Sequence, residues 1–229
     1  MSSDPLFQHG FIVLVGKFNT TIFQPKWFAS EGILRQEDYE NEVEIEIMHR
    51  DITSFHVGEK YRFEITPDRF QVGSQQPIYM HEMADMVLQI FKLLSHTPIG
   101  KLGINYQAQF KIDSVEQLEN AFSKFAPSEP WDGILQQPSL SRLVFEGKRP
   151  DKYSGRIRIT VEASKQVGLG VYVDINDHFE LEEKDNITGC SEIMGILSEQ
   201  HKKSRKRSLE IAKKFATSME RTSYGVVEH

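Results

Sequence analysis

The sequence predicts an α+β protein: mostly antiparallel sheet packed against two or three helices, the last of them long and basic. Three observations predict it. Short segments alternate apolar and polar residues with period two, the signature of half-buried strands. Two longer stretches switch to a helical period. The strands come in runs separated by hairpin-length gaps, which suit antiparallel neighbours and are too short for parallel crossovers.

The elements are taken in chain order. FIVLVGKF (11–18) reads as a largely buried strand. EVEIEIMH (42–49) sends Val43, Ile45 and Ile47 one way and Glu42, Glu44 and Glu46 the other, which predicts a strand with one buried face. DITSFHVG (51–58) and YRFEI (61–65) extend the run, and Pro67 and Asp68 form a turn before Phe70 and Val72 resume it. Tyr79, Met83, Met86, Val87, Ile90 and Leu94 then make a helical stripe, widened by Leu88, Phe91 and Leu93, as suits a helix laid across a sheet. Thr97-Pro98 stops it, because proline disfavours helix in the residue before it. GKLGINYQAQF (100–110) reads as a strand. DSVEQLENAFSKF (113–125) reads as a helix opened by Asp113 three residues before Glu116, a capping-box spacing. Residues 126–139, with three prolines, form a long loop. Strands return at 139–147, 155–164 and 170–182, and a final helix runs from about Ser191 to Arg221.

These elements fit a single domain over 1–221, with a frayed tail at 222–229. A strand-rich block and then a helix occur twice in succession, consistent with an internal duplication divided at about 1–112 and 113–221. With 39% hydrophobic and 26% charged residues, the chain has globular and not disordered proportions. Its one cysteine, Cys190, excludes an intramolecular disulfide framework and a zinc site built on several thiolates. That residue reads as a small hydrophobe beside a helix start. The first apolar run, Phe11 to Val15, is shorter than the roughly 7–15 residues of a signal core and far short of a membrane span. A cytoplasmic location away from membranes is the expectation.

Charge is unevenly spread. Residues 201–221 hold eight basic side chains against two acidic ones, a local charge of +6, so the rest of a chain of net charge −6 carries −12. Lys202, Lys203, Arg205, Lys206 and Arg207 dominate that stretch and are candidates for partner binding, with Trp131 in the proline-rich loop as an aromatic anchor. Phosphate contacts through residues 201–214 would give salt-sensitive binding to nucleic acid, although the aromatic residues that read single strands are missing. The helix stripe through Ile193, Leu197, Gln200, Ser204, Ser208, Ile211, Phe215 and Met219 is small and polar in its middle, which favours an exposed or partner-facing span there.

The second candidate is GVYVDINDHFEL (170–181). Val171, Val173, Ile175, Phe179 and Leu181 share one parity, and Tyr172, Asp174, Asn176, His178 and Glu180 the other, with Asp177 the misfit. Asp174, Asn176 and His178 form a polar strand cluster. Residues i and i+4 on a strand lie about 13 Å apart, so Asp174 and His178 do not readily share one ion. A solvated face, or a bulge at Asp177, is the simpler reading. Carboxylate–lysine patterns for nuclease chemistry fail on geometry: Asp68 is some eighty residues from Glu146 and Lys148. Pro150-Asp151 in RPDKY (149–153) is closer to Glu162, but Ser164 stands where the lysine should be and Lys165 comes one residue late, on the opposite strand face. No nucleophile elbow, phosphate-binding loop or H-E-x-x-H occurs. Neither a metal nor a cofactor is expected, and the ionisable groups are expected to decorate the outside of the scaffold.

TPDRF (66–70), LGINYQAQF (102–110), VYVDINDHFEL (171–181) and LEIAKKFATSM (209–219), in this order, resemble a sporadically distributed family of bacterial proteins of similar length whose function is uncharacterised. The resemblance implies a bacterial cytosolic single-domain protein and transfers no catalytic residues. The leading expectation is a non-enzymatic macromolecule-binding protein within a larger regulatory or defence-type assembly. A metal-dependent hydrolase of nucleic acid or nucleotides, with Asp174 and His178 among its polar residues, and a nonspecific nucleic-acid binder are the alternatives.

Overall fold

A computed structural model describes residues 4–123, 125–127, 129–131, 133–181 and 188–220. The first strand, β1 (Phe7–Gly16), leads into two short helices, α1 (Pro25–Ser30) and α2 (Gln36–Glu42). Four strands come next, β2 (Val43–His49), β3 (Ile52–Val57), β4 (Tyr61–Ile65) and β5 (Arg69–Ser74), and then the helix α3 (Pro77–Leu93). The order then restarts with β6 (Ile99–Lys111), α4 (Val115–Ser123), β7 (Arg142–Lys148), β8 (Gly155–Ala163), β9 (Gly170–Glu180) and α5 (Ser191–Glu220). The mixed α+β class holds, with five helices among the described residues.

All nine strands join one antiparallel sheet in the order β2-β3-β4-β5-β1-β6-β9-β8-β7. Each pass through the chain lays down a first strand, leaves through a helical excursion, and returns as a meander whose last strand pairs with the first: β5 on β1, β9 on β6. The two passes meet where β1 and β6 pair from Phe7↔Gln109 to Gly16↔Ile99. The second pass opens with β6.

The helices lie on one face. The row Phe55–Phe63–Val72–Ile12–Ile104 runs across five adjacent strands toward them and is buried throughout. Under the first pass the core is aromatic: Phe18, Phe23, Phe28, Phe55, Phe63, Phe70 and Phe91 form a chain of ring contacts at centroid separations of 4.8–6.4 Å. Under the second pass α5 lies on β6 and β9 with Ser204, Ser208, Ala212 and Ala216, spaced four apart, at 0–1% exposure. Small side chains let the helix backbone approach the sheet closely. This overturns the expectation of an exposed or partner-facing middle for this helix. Short side chains there mark close packing, not the absence of packing.

Two further differences have plain causes. α1 and α2 do not show in the sequence pattern because six or seven residues are too few for a helical period to register. Proline at the start of α1 and the acidic first turn of α2, Glu37 and Asp38, are their local signals. β2 alternates as expected, yet it is an edge strand with Ile45 and Ile47 about half exposed. A bulge between Ile45 and Ile47 shifts its register against β3. Bulges and charged side chains are what keep such an edge from pairing with another chain. The predicted tail at 222–229 lies outside the described residues.

Candidate functional site

Antiparallel sheets commonly cover one face and wet the other, and no described helix packs on the second face here. The face gathers the side chains of opposite parity to the core: Tyr172, Asp174, Asn176 and His178 from β9, as their parity in the sequence requires, and Asn105, Gln107 and Gln109 from β6. Cross-strand partners bond directly. Gln107 Nε2 donates to Asp174 Oδ1 at 3.0 Å, and Asn176 Nδ2 donates to Asn105 Oδ1 at 2.5 Å. Burial raises the Asp174 carboxyl above its usual range, and it lowers His178, whose ring stands 4.0 Å from Glu180. Asp174 and His178 thus face separate partners. Among the described residues no three His, Cys, Asp or Glu side chains come together in a metal-binding group.

The central strand departs from the polar rule. β1 presents Phe7, His9, Phe11, Val13 and Val15 to the uncovered face, with Phe7 at 54% and Val15 at 40% exposure. The His9 ring packs on Phe11 at 5.1 Å between centroids. Gly73 on β5 makes this possible, because a Cβ there would stand 2.5 Å from His9 Nε2. Depressions border the stripe. One of about 340 Å³ is lined by Phe7, His9, Gln107, Gln109, Glu162 and Tyr172. A second of about 420 Å³ is lined by Phe11, Val13, Asn105, Gln107, Asn176 and His178. A third of about 580 Å³ includes His9, His56 and Arg62. Shared His9 and Gln107 make them one continuous surface.

Most charges on this face already meet an opposite charge. Arg142 pairs with Glu162 at 2.7 Å, and Glu146 receives Arg158 at 2.7 Å and Arg156 at 3.4 Å. At the β2 edge Glu46 accepts from Ser54 Oγ at 2.5 Å, lies 2.8 Å from His56 Nε2 and takes Arg62 at 3.1 Å. The Ser54 and His56 hydrogen bonds hold its carboxyl down at about 2, against a usual 4.5. A depressed carboxylate adds stability above its unfolded pKa and loses it as pH falls through the folded one. The stability difference between wild type and Glu46→Gln is therefore expected to be constant above about pH 5.5. It shrinks between pH 4.5 and 2, which urea unfolding at stepped pH measures.

The basic stretch is divided. Lys202, Lys203 and Lys206 are exposed on α5, Lys203 lying 3.5 Å from Glu199. Arg205 is turned inward, and Arg207 reaches under the helix to Asp177. Trp131 stands 52% exposed in the loop before β7, far along the chain from the other candidates and not gathered with them. Cys190 is buried just before α5, its thiol facing the Phe91 and Ser95 carbonyls at 3.5 and 3.4 Å, and burial raises its pKa. It packs as a structural residue.

Asp177 is the main correction. Register with β6 and β8 runs through it without a bulge, Ile104 and Ile157 being its neighbours. Its side chain enters the core at 0% exposure. Arg149 binds it from the β7–β8 connection, Ser204 Oγ donates to Oδ2 at 2.6 Å, and Arg207 Nη2 donates to the same oxygen at 2.5 Å. Arg149 also forks onto Asp151 at 2.9 and 2.6 Å and lies over the Phe179 ring, 3.4 Å from its centroid. Two arginines and two aspartates neutralise one another. Ionisable groups do gather inside, contrary to the expectation that they decorate the outside, but they are consumed in tying β9 to α5 and to the β7–β8 connection. The parity break at Asp177 was the available signal. Arg149 and Asp151 gave none.

No protein-family model matches the chain, and no curated protein matches it. No described helix is long and apolar enough to cross a membrane.

Proposed function

We propose that the chain is a non-enzymatic protein-binding module of a bacterial cytosol, working within a larger regulatory or defence-type assembly, and that it docks its partner on the uncovered sheet face. One observation carries the reading: the central strand of a solvent-facing sheet surface carries exposed Phe7 and Val15 and half-buried Phe11 and Val13 where a purely wet face calls for polar residues. An apolar centre ringed by amides and paired charges has the anatomy of a protein interface. The partly exposed amides of Gln107, Gln109 and Asn176, though bonded to neighbours, keep spare donor and acceptor capacity for main-chain and amide groups at its rim.

A protein fits better than nucleic acid. Phosphate binding needs a field of unanswered positive charge, whereas the sheet face is largely self-neutralised. On α5, Arg207 and Lys213 are engaged with Asp177 and Asp4. Threonine at Phe7, Phe11 and Val13 keeps strand propensity and removes the apolar stripe. Affinity capture from cells of the source organism with this triple variant is expected to lose the proteins that the wild type retains. Glutamine at Lys202, Lys203 and Lys206 is expected to keep them. Retention by the stripe variant together with loss by the lysine variant would transfer the interface to α5 and favour an acidic partner or nucleic acid.

A further inference from the structure

His201 and Arg205 stand one turn apart on α5, hence on the same face, where the helix meets α3 and β6. Both leave hydrogen-bonding atoms unanswered in the interior. His201 is 3% exposed and its Nε2 is buried without a partner, as are Nε and Nη1 of Arg205. Nη2 of Arg205 reaches only the Met80 sulfur, at 3.7 Å.

The described surroundings supply no counter-charge. The titratable groups around this guanidinium are His201 on α5, His81 on α3 and Tyr106 on β6, while Lys202 acts on the two histidines. Tyr106 donates its hydroxyl to Gln8 Oε1 at 3.0 Å. Asp4, the carboxylate that also acts on Tyr106, holds Lys213 at 2.8 Å. Burial, then the Arg205 charge, holds His201 down at about 4, and His81 is lowered by burial, Arg205 and Lys202. Burial also lowers Arg205, the direction expected of a guanidinium left without an anion. The contrast within one helix is direct: Arg207, two residues on, has Asp177 at 2.5 Å.

Arg205 is half-buried, with Nε and Nη1 shielded from water and no counter-charge beside them. Such a guanidinium is destabilising, and its fixed fork of donors matches planar or tetrahedral oxyanions. We infer that Arg205 and His201 form an oxyanion site between α5 and α3, entered past the exposed His81 and Lys202, that takes a phosphate, sulfate or carboxylate group. The site lies on the helix side of the sheet and is independent of the docking face. Its ligand is a free phosphorylated molecule or an acidic side chain of a bound protein, and the choice of probe separates them.

The test is thermal unfolding of the full chain at low ionic strength with inorganic phosphate, sulfate or acetate, each against sodium chloride at matched ionic strength. An oxyanion at ten times its dissociation constant is expected to raise the wild-type melting temperature by about 3–5 °C beyond chloride. A response to phosphate or sulfate identifies a phosphoryl-type ligand, and one to acetate alone a carboxylate. Arg205→Met is expected to melt at or above the wild type without oxyanion and to lose the response. NMR of the wild-type His201 ring, which needs no variant, is expected to shift on oxyanion addition and not on chloride. Equal responses to oxyanions and chloride, an unmoved His201 signal, or a full response in Arg205→Met would overturn the site.

Discussion

Asp177→Ala is expected to lower the unfolding free energy by about 3–5 kcal/mol. The reason is the state of the partners left behind. Arg149 has a side chain 1% exposed and cannot turn to water, so without Asp177 a guanidinium stays buried against Phe179 with Asp151 as its one counter-charge and the His178 carbonyl, at 3.3 Å, as its other acceptor. Ser204 loses its acceptor in the same step, and Arg207, 23% exposed, is released toward solvent. Urea unfolding reads the cost as a midpoint shift at unchanged m-value. Replacing the pair together, with Arg149→Met and Asp177→Leu in one chain, is expected to recover most of the loss, because a well-packed apolar pair is about as stable as a buried ionic one. A single-variant cost under about 1 kcal/mol would mean that the network contributes little.

Phe63→Ala carries an expected loss of similar size, about 3–5 kcal/mol, by a different mechanism. Phe63 is fully buried, stacks on Phe55 at 4.8 Å and touches Phe28 at 5.0 Å. Removing the ring forfeits its transfer free energy and opens a cavity among large, stiff neighbours that cannot collapse into it. The same urea experiment measures it, and the double variant Asp177→Ala, Phe63→Ala is expected to be additive within about 0.5 kcal/mol, since the two sites share no partner. The two passes of one topology are thus held by different physics. Interlocking phenylalanine rings, mostly edge-on or tilted, fix α1 and α3 on the first, whereas α5 lies on the second through small side chains and a neutral charge network. A cost for Phe63→Ala below about 1.5 kcal/mol would contradict that division.

The strands were legible because period two survives wherever one face is buried: Tyr61, Phe63 and Ile65 of β4, Phe70 and Val72 of β5, Leu102, Ile104, Tyr106 and Ala108 of β6, and Val171, Val173, Ile175 and Phe179 of β9 all point inward as their parity predicts. α3 was legible from its wide apolar stripe, eight of whose nine residues are buried or partly so as expected, Leu93 at the helix end being exposed. Periodicity does not say whether a neighbouring element arrives to cover the face it defines. Hence Val43, Ile45 and Ile47 pattern as core although β2 is an edge, and the small residues of α5 pattern as uncovered although they touch the sheet. The same limit applies to charge. Arg207 and Lys206 are adjacent in one basic run, yet one is ion-paired inside and the other is exposed, because their angular positions on α5 differ by about 100°. For the candidate surface, parity correctly grouped Asp174, Asn176 and His178. The stripe on β1 was hidden, because Phe11, Val13 and Val15 alternate with Ile12 and Leu14, and an all-apolar run does not reveal which side is left open.

The most direct measurement is titration calorimetry of a captured partner, purified, against three forms of the chain that share one melting temperature: wild type, the Phe7, Phe11 and Val13 threonine variant, and the Lys202, Lys203 and Lys206 glutamine variant. Docking on the uncovered sheet face predicts that the threonine variant weakens binding by at least about 30-fold, the loss of a hot-spot cluster, and that the glutamine variant stays within about threefold. Unchanged affinity for the threonine variant would contradict the account.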